Sequence, residues 1–518
     1  MQYISTRNDL KDLRKEIQNN VSTSDNFLNA VDSAYAVVKG LAEDGGLFVP
    51  RTFPTFDLER IIGKNYQEVA FEILKIFFDD FDENSQKKII KDSYNIKNFE
   101  TEAIAEIKSF DSISFLELYH GKTCAFKDFA LSIFPYLLKE SANKLGIKDK
   151  IVILTATSGD TGKAVLEAFS EIEGIEVVVF YPQDGVSYLQ KLQMVSSSGK
   201  NLHVIAIEGN FDDAQRVVKQ IFIDEEFNNK MRSKGIIFTS ANSINIGRLI
   251  PQIIYYFYTY VNLIENKKIN RNEKINFVVP TGNFGNILAC YYAKKMGLPI
   301  ETIICASNSN NILYDFFTTG KMDLNRQFYK TISPSMDILI SSNFERFLFD
   351  ITDQNFEIIN KYKNGINKNY FELDRENINK INGFYSSFAT DIETISSINK
   401  VYNKYNYLID PHTAVAYKVY EDYIKFCKDF GCEDLANKRT VIVSTASPFK
   451  FPKVCLEAIG GFSYAINRFN ELELAFLLAQ KTGLNIPKPI ENLKNLPVLH
   501  NICVKKEDVK GFLENILC

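Results

Sequence analysis

Histidine is scarce in this 518-residue chain, with only four present: His120, His203, His412 and His500. No two stand at ligand spacing and no H-E-x-x-H occurs, so a histidine-built metal centre or triad has little to draw on and no metal is expected. The eight cysteines never form C-x-x-C, and in a chain this long they do not make a disulfide framework. Free thiols in a reducing, cytoplasmic setting are the simplest expectation. Charge of one sign is also lacking: the net value is −4, with 45% hydrophobic and 24% charged residues. That balance fits a globular protein and argues against nucleic acid or an anionic membrane as the main partner. The longest apolar run, "LIPQIIYYFYTYVNLI" at 249–264, is short and holds Pro251, Gln252 and Asn262. It reads as a buried helix instead of a membrane span. The opening "MQYISTRNDLKDLRKE" has no apolar h-region, so no signal peptide is expected.

Two nucleotide signatures are missing as well. No G-x-G-x-x-G is present. "TSGDTGKA" at 157–164 approaches a Walker A loop but has Ala164 where Ser or Thr is required, and Thr157 where the first glycine belongs.

What the chain does contain is strand–helix alternation. "KIVILTA", "IEVVVFYP" and "LHVIAIEG" are separated by helical patterns, and "KINFVVP" and "LPIETIICA" form a second unit. Such alternation predicts β-α-β units with parallel sheets, in two lobes. The segment before about residue 100 reads as helical with a Gly-Gly turn, and 344–420 as polar, regular and mostly helical. In such sheets ligands bind at the carboxyl ends of strands, where the glycine-containing loops lie.

Four of these loops carry candidate chemistry. "PTGNFGN" (280–286) joins a strand to a helix start and suits a phosphate, although a plain turn reads the same way. "TSGDTGKA" offers Ser158, Thr161 and amide donors to an anion, or simply a helix capped by Ser158 or Asp160. In "SANSINIGR" (240–248), Arg248 can clamp an oxyanion or be an ordinary surface arginine. Thr445 ends the strand in "TVIVSTASPFKF", and His412 in "DPHTAVAY" reads as a cap or packing residue. The fifth feature is Lys127, set among Cys124, Ala125, Phe126 and Phe129. A lysine among apolar groups loses solvation and becomes a better amine nucleophile, and beside a phosphate loop it suggests pyridoxal 5′-phosphate. Taken alone, it reads more simply as a helix start with its head in water.

Taken together and in order, "GLAEDGGLFVP", "HGKTCAFKDFA", "TATSGDTGKA", "SANSINIGR", "PTGNFGN", "DPHTAVAY" and "STASPFKF" resemble the motifs of the threonine synthase family, in its long fungal and bacterial branch. The resemblance implies fold-type II architecture for a pyridoxal-phosphate enzyme: an α/β protein of two three-layer lobes with mostly parallel sheets and a helical N-terminal region. The expected division is 1–100 for that region, 101–135 with 245–518 for the large cofactor lobe, and 136–244 for the small lobe. The implied reaction converts O-phospho-L-homoserine and water to L-threonine and phosphate, by a carbon–oxygen lyase acting as a monomer or weak homodimer.

The same resemblance implies residue roles. Lys127 would carry the cofactor as a Schiff base and shuttle protons; Gly282, Asn283, Phe284, Gly285 and Asn286 would wrap its phosphate; Thr445 would meet the pyridine nitrogen. Ser158, Asp160 and Thr161 would hold the substrate carboxylate, and Asn242 and Arg248 its phosphate. Two departures stand out: Lys122 where the family has proline, and Ser447 where it has histidine. The second leaves room for a related phospholyase that eliminates phosphate without replacement. A catalytically silent cofactor-binding protein is the remaining alternative.

Overall fold

The computed structural model describes residues 1–7, 30–157, 159–183, 186–209, 211–461 and 466–518. Ser158, one of the expected substrate residues, lies outside them.

Two sheets organise the described residues. The larger has six strands in the order Phe384–Phe388, Ile300–Ser307, Ile275–Pro280, Thr440–Ser444, Ile113–Glu117 and Glu106–Phe110. All neighbours pair in parallel except the last two, which form a tight antiparallel hairpin. The smaller has five parallel strands: Ile502–Val504, Leu202–Ile207, Ile175–Pro182, Lys150–Ala156 and Ile236–Ser240. Central strands such as "INFVVP" and "IVILTA" are buried along their length, because helices cover both faces of a parallel sheet. In each sheet the strand that precedes a glycine loop, Ile275–Pro280 or Lys150–Ala156, has neighbours reached by connections running in opposite directions. That arrangement opens a crevice at its carboxyl end.

The apolar run at 249–264 forms the buried helix Pro251–Glu265, packed against Tyr66–Phe77 and Gly285–Lys295. Among the described residues no helix is long and apolar enough to cross a membrane. Among the described residues of the N-terminal region the regular elements are helices, apart from Tyr3–Ser5, which pairs antiparallel with Phe48–Pro50.

The structure differs from the sequence expectation in two places. Within 344–420, mostly helical as expected, Tyr370–Glu372 pairs with Lys321–Asp323 and Phe384–Phe388 is the edge strand of the large sheet. Its "FYSSF" is too short and too polar to stand out as a strand, since only one neighbour pairs with it. The chain end does not remain with the large lobe: Ile502–Val504 adds a strand to the small sheet, and Val509, Leu513 and Leu517 bury in that sheet's core.

Candidate functional site

The segment before Lys127 is fixed by its own polar groups. Asp128 accepts hydrogen bonds from the Thr123 amide at 2.9 Å and the Thr123 hydroxyl at 2.7 Å. Gly121 makes this closure possible, because a Cβ there would lie 2.4 Å from Asp128 Oδ2. Cys124 adopts a positive φ of 56°. A non-glycine residue there costs about 1 kcal/mol or more, which the surrounding structure must offset. The loop is then stitched to the end of strand Thr440–Ser444. The Phe126 amide donates to the Thr445 carbonyl at 2.8 Å, and the Ser447 amide to the Cys124 carbonyl at 3.0 Å. Lys127 therefore begins its short helix, Lys127–Leu131, directly beside Thr445.

Lys127 does not have its head in water. Its side chain is 13% exposed, with the ammonium 4.8 Å from the centre of the Phe126 ring and 3.7 Å from Asp160 Oδ2. Burial pushes the amine down from its ordinary value; Asp160 opposes this, and nearby Lys450 and Arg248 add to it.

Asp160 comes from the other lobe. It is the first residue of helix Asp160–Phe169, and capping is done by neither Asp160 nor the Gly159 N-cap side. Instead Thr157 Oγ1 accepts from the amides of Gly159 and Gly162, both at 2.9 Å. The Asp160 carboxylate is left to meet four groups: Lys127, the Lys450 ammonium at 2.7 Å, the Gln190 amide at 2.9 Å and the Ser335 hydroxyl at 3.0 Å. Burial pushes its pKa up, but Lys450 and then Lys127 outweigh burial and hold it below the usual carboxylate range. Thr161 follows in the same first turn, half-buried.

Ser335 joins this cluster to the glycine loop. Its amide donates to His412 Nε2 at 3.2 Å, so the His412 proton sits on Nδ1, facing Asp410 Oδ1 at 2.8 Å. His412 thus fixes Ser335 as well as starting a helix. The Ser335 carbonyl lies 2.7 Å from where a Cβ on Gly282 would stand, so glycine is required there.

The rest of the loop opens the helix Gly285–Lys295. Phe284 sits at φ 63° and drives its ring among Phe317, Phe344 and Phe347. Asn283 is held through its carbonyl by Asn343. Asn286 accepts through Oδ1 from Tyr255 at 2.7 Å and Tyr256 at 2.6 Å. With Oδ1 so engaged, its Nδ2 is buried with no hydrogen-bond partner among the described residues. Asn343 Nδ2 and Gln252 Nε2 approach Gly285 from the side.

Arg248 is buried and not a surface residue. One nitrogen donates to the Ala241 carbonyl, while Nε has no partner among the described residues, and burial brings the guanidinium down to about 10. Asn242 Oδ1 is likewise buried without a partner. Beside them Arg346, fully buried, binds the carbonyls of Phe48, Ser243 and Ile244 and the Asn343 side chain, and so ties these loops together.

The two departures have local accounts. Lys122 pairs with Glu167 across the lobes at 3.6 Å, on the surface, and Glu167 also meets Lys163 at 3.0 Å. Ser447 is a cap, its hydroxyl accepting from the Phe449 amide at 3.3 Å. Sequence reasoning missed Lys450, Gln190 and Ser335. For Lys450 a signal was present, because "PFK" at 448–450 repeats the lysine-after-phenylalanine oddity of "AFK" at 125–127. Among the described residues one grouping has metal-type donors, Glu106, Glu117 and His120. Its atoms are engaged with one another, with Tyr407 and with Lys108.

The arrangement comprises a desolvated amine, a compensated carboxylate, a glycine loop at a helix start with a buried, unpartnered amide, and a buried arginine with donors to spare. It can hold a carbonyl compound and two anionic groups. Family comparisons agree with this chemistry. The pattern described as pyridoxal-phosphate dependent enzyme matches residues 108–445, and that of the threonine synthase N terminus matches 19–94. The class is that of the pyridoxal-phosphate-dependent enzymes. Threonine synthase of Saccharomyces cerevisiae is 35% identical over 472 residues, covering 85% of this chain and 89% of the relative. The crystal structure of the pyridoxal-phosphate-bound threonine synthase of Brucella melitensis superposes with a TM-score of 0.82 at 30% identity, covering 100% of this chain and 99% of that one. This chain belongs to the threonine synthase family. The human protein threonine synthase-like 1 is 38% identical over 440 residues, 82% of this chain, and the chain spans 57% of that relative's length.

Proposed function

We propose that this chain is a threonine synthase, converting O-phospho-L-homoserine and water to L-threonine and phosphate with pyridoxal phosphate. The observation that carries this reading is Lys127, a desolvated amine 3.7 Å from Asp160 and beside the end of strand Thr440–Ser444. The unsatisfied Asn286 amide and Arg248 Nε fit a site built for a phosphorylated cofactor and a phosphorylated substrate.

When bound, pyridoxal phosphate supplies an electron sink that acidifies the carbons next to the substrate amine. Gly282, Asn283, Phe284, Gly285 and Asn286 hold its phosphate through backbone amides, the helix start and the Asn286 side chain. Thr445 offers a neutral hydroxyl to the ring nitrogen. Lys127 moves protons at Cα and Cβ, which requires it to be an uncharged amine at neutral pH. Ser158 and Thr161 would bind the substrate carboxylate; Asp160, expected to share that role, does not suit it, because its own carboxylate is anionic and paired with Lys450 and Lys127. Asn242 and Arg248 hold the distal phosphate until it leaves, and a guanidinium relieved of other anions suits that charge. Approach of the lobes, joined at Asp160, excludes water until its addition at Cβ. We place the protein in the cytoplasm as a monomer or weak homodimer.

The test is to incubate the purified chain with pyridoxal phosphate and O-phosphohomoserine and to measure phosphate and threonine together. Equal yields are expected. Phosphate accompanied by a keto acid in place of threonine would instead identify a phospholyase, and neither product would leave a silent cofactor-binding protein.

A further inference from the structure

Among the buried ionisable groups that the mechanism leaves unused, one touches Asp160. Lys450 is fully buried in the large lobe and held at two points: Asp160 Oδ1 at 2.7 Å and the Thr123 carbonyl at 2.8 Å. Lys127 meets the same carboxylate only through Oδ2 at 3.7 Å, beyond hydrogen-bond distance. Two lysines thus share one acid, and the shorter, doubly anchored contact belongs to the lysine placed to form no bond with the cofactor.

We propose that Lys450 is the permanent counter-cation of Asp160, leaving Lys127 outside that ion pair and available as an uncharged amine. Lys450 is then a positioning residue for the chemistry, acting through Asp160; the inference rests on Lys127 being the cofactor lysine. A buried carboxylate must keep a partner, since an unpaired buried charge is costly. If Lys127 were the sole partner, it would be tied up as an ammonium. It would also strip Asp160 of its counter-charge whenever its nitrogen was bonded elsewhere. With Lys450 in place, Asp160 stays compensated throughout the cycle. The charged groups facing Lys127 are Asp160, Lys450 and Arg248; Asp160 is faced in addition by the neutral Gln190 and Ser335, and Lys450 by Asp128 and Cys124. The direction of the Lys127 shift agrees, with burial, Lys450 and Arg248 all lowering it against Asp160.

Trace acetic anhydride labelling of the cofactor-free chain, followed across pH by mass spectrometry of the Lys127 peptide, tests this without relying on turnover. Lys450→Met should move the midpoint of Lys127 reactivity upward by about one pH unit, roughly a tenfold loss of labelling at a fixed pH below it. Lys450→Arg should restore the wild-type midpoint. Asp160→Asn should move it downward, since the acid is the charge that favours the ammonium; if Lys450→Met does not fold, Lys450→Gln removes the same charge and is read in the same way. An unmoved or lowered midpoint in Lys450→Met, or an unmoved or raised one in Asp160→Asn, overturns the proposal. A wild-type chain that gains no visible cofactor absorbance with pyridoxal phosphate overturns the cofactor reading instead, and that measurement is independent of the labelling.

Discussion

Two strand-to-helix turns, 157–162 in the small lobe and 281–286 in the large, have similar composition and meet at Ser335, yet they are electrically opposite. The first presents the Asp160 carboxylate, answered by Lys127 and Lys450. The second presents no formal charge, only backbone amides, a helix start and the buried Asn286 amide, left without a partner among the described residues while two tyrosines hold its oxygen. A strand, a glycine and a helix start make an anion site by default. One acid at the helix's first residue, placed within reach of cations from the facing lobe, turns the same element into an anchor for lysines.

The largest expected effect comes from removing the group between the two turns. Lys127→Ala should abolish the visible cofactor absorbance and cut threonine formation by roughly 10⁴-fold or more, measured by spectrophotometry and product assay. In the wild type, activity should rise with pH through the depressed pKa of Lys127 and be established below the range of an ordinary lysine.

Asn286→Asp makes the neutral turn resemble the charged one without altering side-chain size. The tyrosine bonds to Oδ1 can persist while the buried donor becomes an anion. Affinity for pyridoxal phosphate should fall by about 100-fold, the worth of one charge-assisted hydrogen bond, read by equilibrium titration. An unchanged affinity would show that the backbone amides alone define the difference between the turns.

A third prediction concerns the strand end leading into the Lys127 loop. Burial alone would push His120 down, but the Glu100 carboxylate at 3.9 Å and the hydrogen bond to Glu117 at 2.7 Å outweigh it and raise it from 6.5 to about 9. The native state therefore holds this proton more tightly than the unfolded chain. Its stabilisation is full below pH about 6.5 and is lost as pH rises to about 9, a loss of about 3 kcal/mol. Denaturation midpoints across that window should decline for the wild type and flatten for His120→Gln.

The smallest effect should come from Lys122→Gln. Its pairing with Glu167 is half-buried and long, so stability should change by less than about 1 kcal/mol. A larger loss would mean that surface charge across the lobes matters as much as the buried Asp160 anchor.

Much of this was legible in the residues. The parallel strands show as short β-branched runs, and the buried helix at 251–265 shows as an apolar run interrupted too often to span a membrane. The loops were legible because glycine, serine and asparagine cluster only where the backbone must turn or approach a ligand. The edge strand Phe384–Phe388 and the return of Ile502–Val504 to the small sheet were not, since short edge strands carry little pattern and take their identity from a distant neighbour. Lys450 stood within a quoted motif and was still missed. Nothing local says where a lysine's four-carbon stem will end.

The sequence by itself determined the two α/β lobes, the glycine turn at 281–286 and Lys127 as an oddly placed lysine, because periodicity, turn chemistry and side-chain polarity are properties of neighbouring residues. Tertiary structure alone decided that Lys127 is desolvated, that Asp160 is an anchor and not a cap, and that Lys450 is its partner. Those facts depend on distances between segments tens to hundreds of residues apart, and on burial, which no single segment sets.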